Sequence, residues 1–224
     1  AALLVGRRKN PAPEPHNVPY VVLGAAILWF GWFGFNAGSG LAANALAVNA
    51  FLVTNVAAAT AALTWGIISH LQTGKISAVG VASGAVGGLV AITPASGFVG
   101  VLGALAIGFG AGVFCYLAVL LRAKTKVDDA LEVVAIHGVG GLWGAIATGI
   151  FAASAIGGVS GLIEGNASQV VTQLIACLAT IGYSFTVTMI ILKVLDVIPG
   201  LGLRAPENNE DQGLDLSSHG ERAF

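Results

Sequence analysis

Six long apolar runs dominate the pattern along the chain, and short polar or glycine- and proline-containing segments separate them. The hydrocarbon core of a bilayer is about 30 Å thick, and a helix of about 20 apolar residues crosses it. Backbone groups must find partners in hydrocarbon, so each run is predicted to be helical. The pattern therefore predicts an all-α fold, a polytopic transmembrane helical bundle. Its six complete spans are expected near residues 18–40, 46–70, 77–95, 99–121, 129–153 and 169–193.

The composition agrees with lipid as the main solvent. Hydrophobic residues make up 56% of the chain and charged residues only 9%, against about 25% charged in an average soluble domain. The net charge of −1 carries no sign of a nucleic-acid partner, and none is predicted. Cys115 and Cys177 lie inside apolar runs and are interpreted as small hydrophobic residues. No metal site and no cofactor are predicted.

The basic residues predict the orientation. Alternating the spans places residues 6–17, 71–76, 122–128 and 194–224 on one side. Nine of the ten Lys and Arg residues fall in these segments, and the tenth, Lys193, is the last residue of the span that leads into 194–224. Because basic residues favour the cytoplasmic side, the chain is expected in the cell membrane with a cytoplasmic C-terminus. Residues 1–5 resemble the last turn of a truncated transmembrane helix. Residues 6–200 then form the transmembrane domain, and residues 201–224 form a cytoplasmic tail.

Small residues recur four apart within the spans, a spacing that lets helix backbones approach each other. The pairs are Gly34/Gly38, Gly84/Gly88, Gly108/Gly112 and Gly140/Gly144.

His137 is the ionisable residue nearest the middle of a span, and Val133 lies one turn before it on the same helix face. Polar groups at this depth are candidates for function, although a histidine that bonds a neighbouring carbonyl would fit as well. Acidic residues favour a helix N-terminus, where they cap it and interact with its dipole. The acidic cluster expected in the first turn of this helix is Asp128, Asp129 and Glu132.

Aromatic residues are concentrated at the outer end of the first span, in residues 29–39. An interfacial belt and a cation-binding site both fit this pattern. Phe35 and Ser39 share a helix face, and a belt alone does not account for Asn36 and Ser39. Thr93, which precedes Pro94, either satisfies a carbonyl freed by a kink or faces a pore.

Four motifs, in order, resemble the ammonium transporters of the Amt/Mep/Rh family, and of the bacterial or archaeal Amt type in particular. They are WFGWFGFNAGS at 29–39, AITP at 91–94, DDALEVVAIHGVGG at 128–141 and GLDLSSHGERAF at 213–224. The resemblance covers essentially the whole chain. It implies eleven helices per subunit, two inverted repeats and a homotrimer with one pore in each subunit. This chain would then hold the second repeat plus the last helix.

The same resemblance implies roles for particular positions. Phe35 matches a gate phenylalanine, Ser39 the hydroxyl of the outer recruitment site, and His137 the second histidine of the pore pair. Thr93 and Val133 match pore-lining positions, and Trp32 and Asn36 belong to the same substrate pathway. The sequence departs from the family at Glu132, where an Asp is usual, and at residues 134–136, where Phe-Gly-Val is more common.

The predicted function is transport of ammonium or ammonia, not catalysis. Ammonium would bind at the outer aromatic site, and neutral ammonia would pass His137 through a hydrophobic pore. The alternatives are a membrane ammonium sensor and an Rh-like electroneutral gas channel. The sensor is disfavoured because residues after 200 leave little room for a signalling domain. His137 has no nucleophile or second carboxylate on its face, so no enzyme is predicted.

The tail is predicted to have two parts, a polar and mobile segment at 207–211 and an ordered motif at 213–224. The ordered motif either receives a PII-type regulatory protein at the cytoplasmic face or packs beneath the trimer.

Overall fold

The computed structural model describes residues 1–9, 11 and 15–221, and over these residues the regular structure is entirely helical. A π-helical turn, Val134–Gly138, runs directly into the α-helix Val139–Phe151, so the two form one continuous helix from Val134 to Phe151. A short 3₁₀ turn covers Leu162–Glu164, and a second π turn covers Asp215–His219. The α-helices are α1 (Ala2–Val5), α2 (Val18–Gly38), α3 (Ala45–Thr73), α4 (Ala78–Ile92), α5 (Val101–Ala123), α6 (Val139–Phe151), α7 (Ser154–Gly157), α8 (Ser168–Val197) and α9 (Glu207–Gln212).

Polar residues mark where the long helices begin. Asn17 accepts a hydrogen bond from the backbone N–H of Tyr20, and Asn44 accepts one from that of Ala47. Ser77 does the same for Gly80 at the start of α4. These side chains satisfy N–H groups that have no partner inside the helix, so α2, α3 and α4 each start with a side-chain cap. The helices α5 and α8 start without one.

Five helices in the described part of the chain are long and apolar enough to cross a membrane. They are α2, α3, α5, the continuous helix Val134–Phe151, and α8. The third predicted span is shorter than expected, because α4 has 15 residues and ends at Ile92. Pro94 has no N–H to donate, so the helical hydrogen-bond pattern is interrupted there, although Thr93 before it keeps helical backbone angles. Residues 93–98 therefore continue as turns.

The centre of the bundle is formed by α3, α4, α5 and α6, and its glycines explain how closely these helices pack. A Cβ added at Gly88 would lie 2.6 Å from the carbonyl oxygen of Ala57, and one at Gly108 would lie 2.4 Å from the same oxygen. A Cβ at Gly144 would lie 2.1 Å from the carbonyl oxygen of Ala91. The predicted close approach is therefore confirmed for the glycine pairs of α4, α5 and α6.

The remaining pair, Gly34 and Gly38 of α2, behaves differently. No described atom lies within 4 Å of a Cβ built at either position. Close packing is therefore absent for this pair among the described residues, where the contacts of α2 with α3 and α4 include those of Trp32, Phe33 and Asn36.

Three charged segments meet at one end of the bundle. Arg8 pairs with Asp128 at 2.7 Å, Lys9 with Asp211 at 2.6 Å, and Arg204 with Glu210 at 2.8 Å. The segment after α1, the α5–α6 connection and the tail are thus held together. Five of the basic residues expected on one side lie at this end, namely Arg7, Arg8, Lys9, Arg122 and Arg204. Arg222 falls outside the described residues.

The first part of the tail differs from its prediction. Residues 207–211, expected to be mobile, lie in helix α9. The backbone N–H of Lys9 and the guanidinium of Arg204 both bond Glu210, and these contacts hold the pKa of its carboxyl below the usual range.

Candidate functional site

Trp32 and Thr93 join the C-terminal half of α2 to the end of α4. The indole Nε1–H of Trp32 donates a hydrogen bond of 2.7 Å to the Thr93 hydroxyl. The ring of Phe35 lies edge-on to the Trp32 ring, with 5.6 Å between centroids and 74° between planes. The early proline end of α4 places Thr93 where the indole can reach it.

Beside these rings runs an open apolar groove of about 470 Å³. Phe35 forms its outer wall and is 61% exposed. The other residues along the groove are Gly24, Ile27, Leu28, Gly31 and Trp32. The helix thus presents an aromatic surface from which side chains of the neighbouring helices are absent in the described part of the chain.

A smaller cavity of about 220 Å³ adjoins the same end of α2, and the polar residues Asn36, Ser39, Thr93 and Ser96 contribute to a lining that is otherwise apolar. Ser39 donates its hydroxyl proton to the carbonyl oxygen of Phe35 at 2.6 Å, which leaves its oxygen lone pairs as acceptors. Asn36 is buried, and its amide donates to the hydroxyl of Thr54 at 2.9 Å. Asn36 therefore ties α2 to α3 as well as lining the cavity.

The sequence leaves two roles open for Thr93, satisfying a carbonyl freed by a kink or facing a pore. Its hydroxyl donates to the carbonyl of Leu89, one turn earlier in α4, at 2.8 Å. The same oxygen accepts the indole proton of Trp32. The hydroxyl thus satisfies a carbonyl near the proline-terminated end of α4 and also borders the cavity.

His137 lies in the π turn Val134–Gly138, and its side chain is exposed. Within the described residues its imidazole makes no hydrogen bond. The alternative in which His137 bonds a neighbouring carbonyl is therefore not supported by these residues. The neighbouring residues hold the turn in place, because Ala135 and Ile136 are buried and the Cys115 thiol lies 3.7 Å from the Ile136 carbonyl. Single π turns inside α-helices are frequent at functional sites.

The acidic cluster precedes this helix, so the prediction that it forms the first helical turn is wrong. Asp129 nevertheless acts as a cap, since its carboxylate accepts the backbone N–H of Val134 at 2.7 Å. Glu132 adopts a left-handed backbone conformation with φ of 55° and pairs with Arg122 through two N–H groups. These two side-chain interactions stop the helix from starting earlier.

Asp128, the third residue of the acidic cluster, has different partners from Asp129 and Glu132. The backbone N–H and the guanidinium of Arg8 both donate to its carboxylate, at 2.7–2.8 Å. These hydrogen bonds hold the pKa of Asp128 well below its usual range. The three acidic residues thus have separate partners, and over the described residues no group of three His, Cys, Asp or Glu side chains is arranged to hold a metal ion.

The structure brings some of the predicted site residues together and leaves others apart. Trp32 contacts both Phe35 and Thr93, and Asn36, Ser39 and Thr93 line the same cavity. His137 and Val133 line neither the groove nor the cavity; both are exposed on the first turn of the Val134–Phe151 helix.

Sequence reasoning missed Thr54, Arg8 and Arg122 as partners of site residues. Thr54 could have been noticed as a hydroxyl in an apolar span, where a buried polar group needs a partner. The residues around Asp128 and Glu132 do not point to these arginines, because Arg8 lies 120 positions from Asp128 and Arg122 lies 10 positions from Glu132.

The sequence model of the Ammonium Transporter Family matches residues 1–224. The chain belongs to this family. The ammonium transporter Amt1 of Archaeoglobus fulgidus is 49% identical over 226 residues, covering 100% of this chain and 57% of that protein. The chain therefore spans about half the length of the curated relatives that it matches. Family membership and the apolar helices together make it a multi-pass membrane protein.

Solved structures agree on the fold. Mep2 of Saccharomyces cerevisiae is similar with a TM-score of 0.86 and 41% identity, over 92% of this chain and 49% of that one. A structure described as a sensor Amt protein is similar with a TM-score of 0.85 and 31% identity, over 97% of this chain and 55% of that one. The predicted transporter-like helical fold is confirmed.

Proposed function

We propose that this chain forms the second half of a subunit that moves ammonium across the cell membrane. The observation that carries the proposal is the meeting of aromatic rings and hydroxyl groups at the C-terminal end of α2. There the groove beside Trp32 and Phe35 adjoins the cavity of Ser39 and Thr93. Curated relatives over the whole chain are ammonium transporters, which supports this reading of the chemistry.

The outer end of α2 suits a small cation that can donate hydrogen bonds. Ring faces attract a cation through their quadrupole, and more strongly where water is excluded. Ser39 has lone pairs to offer, since its own proton is engaged by the Phe35 carbonyl. Ammonium combines a positive charge with four N–H donors and therefore fits rings and hydroxyl oxygens together.

The passage beyond Phe35 suits a neutral molecule. An isolated ion is strongly disfavoured in an apolar medium, whereas ammonia, which forms when ammonium gives up a proton, carries no charge. His137, without a hydrogen-bond partner among the described residues, can donate from one ring nitrogen and accept at the other. Those two functions replace water for ammonia along the pathway, and Val133 contributes apolar surface one turn earlier. The proton that ammonium releases crosses separately, accepted by one nitrogen of the imidazole and given up from the other, so that transport moves positive charge.

This division of roles also separates ammonium from potassium. Potassium resembles ammonium in charge and size, so an aromatic site alone does not distinguish them. Potassium has no proton to lose, and an apolar passage lined by an imidazole therefore rejects it while ammonia passes.

The proposed assembly follows from the exposed faces. Asn36 is the one buried residue of α2, and α8 has none, so these helices have surface for further protein as well as lipid. We place the chain in a homotrimer with its basic end and C-terminus in the cytoplasm. The ordered end of the tail would then be a surface for a PII-type regulatory protein, and nitrogen uptake would be the physiological role.

Replacing His137 with Ala in the full-length protein tests the pathway. Uptake of ammonium by proteoliposomes should fall strongly while the amount of folded protein stays the same, because the side chain is exposed and its removal leaves no cavity in the core. The matched control is the same substitution at His70, which is also exposed and lies near the C-terminal end of α3. Equal uptake by wild type and His137→Ala would remove His137 from the pathway.

A sensor is the second candidate, and the similarity to a sensor Amt protein favours it. A sensor would bind ammonium at the same aromatic and hydroxyl groups without net movement. Ammonium binding with no uptake or current would support the sensor, whereas uptake without net charge movement would support an Rh-like gas channel.

A further inference from the structure

The Thr93 hydroxyl has its proton and one lone pair fully engaged. It donates to the Leu89 carbonyl at 2.8 Å and accepts from the Trp32 indole at 2.7 Å. A threonine hydroxyl has one proton to give, so Thr93 has no donor left for a passing molecule. Its geometry is that of a group that fixes another side chain.

Trp32 depends on this contact for its orientation. Its ring is half-buried against an apolar groove, and the groove residues Gly24, Ile27, Leu28 and Gly31 offer no side-chain acceptor for the indole proton. An indole N–H without a partner in such surroundings is disfavoured, so the bond to Thr93 selects one rotamer of the tryptophan.

Phe35 in turn depends on Trp32. It is 61% exposed, and its ring rests edge-on against the Trp32 ring at 5.6 Å. Edge-to-face aromatic pairs have a preferred geometry, so a change in the Trp32 rotamer removes the surface that orients Phe35.

We propose that Thr93 is a positioning residue, which fixes Trp32 through its indole proton and thereby holds Phe35 in the orientation that closes the pathway. This inference rests on the proposed function, because closure has meaning only where a molecule passes. The proline-determined end of α4 is what places the hydroxyl within reach of α2.

The test uses the full-length protein in supported membranes, with ammonium-evoked and potassium-evoked currents measured on each variant. Thr93→Val keeps the shape and removes the hydroxyl, whereas Thr93→Ser keeps the hydroxyl. We expect Thr93→Val to lower the ratio of ammonium to potassium current by about five-fold, the size of one hydrogen bond, and Thr93→Ser to match wild type.

A double-mutant cycle separates positioning from simple packing. Trp32→Phe keeps a ring and removes the indole proton, and it should lower the ratio about as much as Thr93→Val. In the Trp32→Phe background, Thr93→Val should then add nothing, because the two changes remove the same bond. Trp32→Phe also decides the question if Thr93→Val fails to assemble.

Several results would overturn the inference. They are a Thr93→Val ratio equal to wild type, a Thr93→Ser ratio as low as that of Thr93→Val, and independent, additive effects in the cycle. A wild type without ammonium current would instead contradict the proposed function. The hydrogen bond is then read separately, from the ¹⁵N indole signal of Trp32: faster N–H exchange in Thr93→Val supports it, and unchanged exchange refutes it.

Discussion

The helices α4, α5 and α6 press glycines against the backbones of their neighbours, whereas all four glycines of α2 face open space. A Cβ at Gly144 would collide with the Ala91 carbonyl, but one at Gly24, Gly31, Gly34 or Gly38 would meet no described atom within 4 Å. The same residue type therefore marks a completed contact in one region and an unoccupied surface in the other. Phe35, to which the proposed function assigns part of the chemistry, is exposed on this unoccupied surface of α2.

The two regions have different roles: the packed centre supports the site residues, and the open faces are available for contact. The α3–α6 centre is a complete core within the described residues, including buried Leu89, Ile92 and Ile107, and it holds the site residues in place. The faces of α2 and α8 carry large exposed apolar side chains, which suits contact with lipid or with other parts of the proposed trimer.

The largest effect is expected from Gly144→Ala. The added Cβ cannot fit 2.1 Å from the Ala91 oxygen, so α4 and α6 must separate, at a cost of about 3 kcal/mol in the free energy of unfolding. Thermal unfolding in detergent measures it. Gly34→Ala is the matched control and should unfold at the wild-type temperature or slightly higher, since alanine favours a helix. Equal stability of Gly144→Ala and wild type would contradict the assigned packing.

A smaller effect is expected from Asp129→Ala. Loss of the carboxylate frees the Val134 N–H at the start of the π turn and should destabilise that turn by about 1 kcal/mol. Hydrogen–deuterium exchange over residues 133–138 should become faster. Asp129→Asn keeps an acceptor and should exchange more slowly than Asp129→Ala. If the alanine variant exchanged at the wild-type rate, Asp129 would not cap the turn.

The smallest effect is expected from Arg8→Ala, and it depends on pH. Arg8 lowers the pKa of Asp128 in the folded protein, so the pair stabilises above the pKa of an ordinary carboxyl and loses this contribution as the pH falls below it. Because the Arg8 side chain is 44% exposed, the difference in unfolding free energy at pH 6 should be about 1 kcal/mol or less. It should shrink below about pH 4.

The control for this measurement is Lys9→Ala, which removes a pair exposed on both sides. It should change stability less than Arg8→Ala does at pH 6. A difference between wild type and Arg8→Ala that grew on acidification would contradict the assigned effect of Arg8 on Asp128.

The positions of the long helices could be predicted because apolar length and capping residues are local properties. Asn17, Asn44 and Ser77 start their helices where the apolar runs begin. The end of α4 was placed three residues too late, although Pro94 is a local signal for an early end. The start of the His137 helix was misplaced because the partners of Asp128 and Glu132 lie outside their own segment, on Arg8 and Arg122.

The site residues were predictable as residue types but not as partners. Trp32 and Thr93 were both named, yet their hydrogen bond joins positions 61 apart, and no spacing rule relates them. Asn36 was expected in the pathway, whereas its amide also bonds Thr54 on another helix. Such contacts depend on how helices pack, which periodicity does not determine.

The most direct test is the current evoked by ammonium in the full-length protein in a planar supported membrane, with potassium as the control. The account predicts a current that saturates with ammonium and is many times smaller with potassium. Equal currents with both cations would contradict the proposed passage of neutral ammonia behind Phe35.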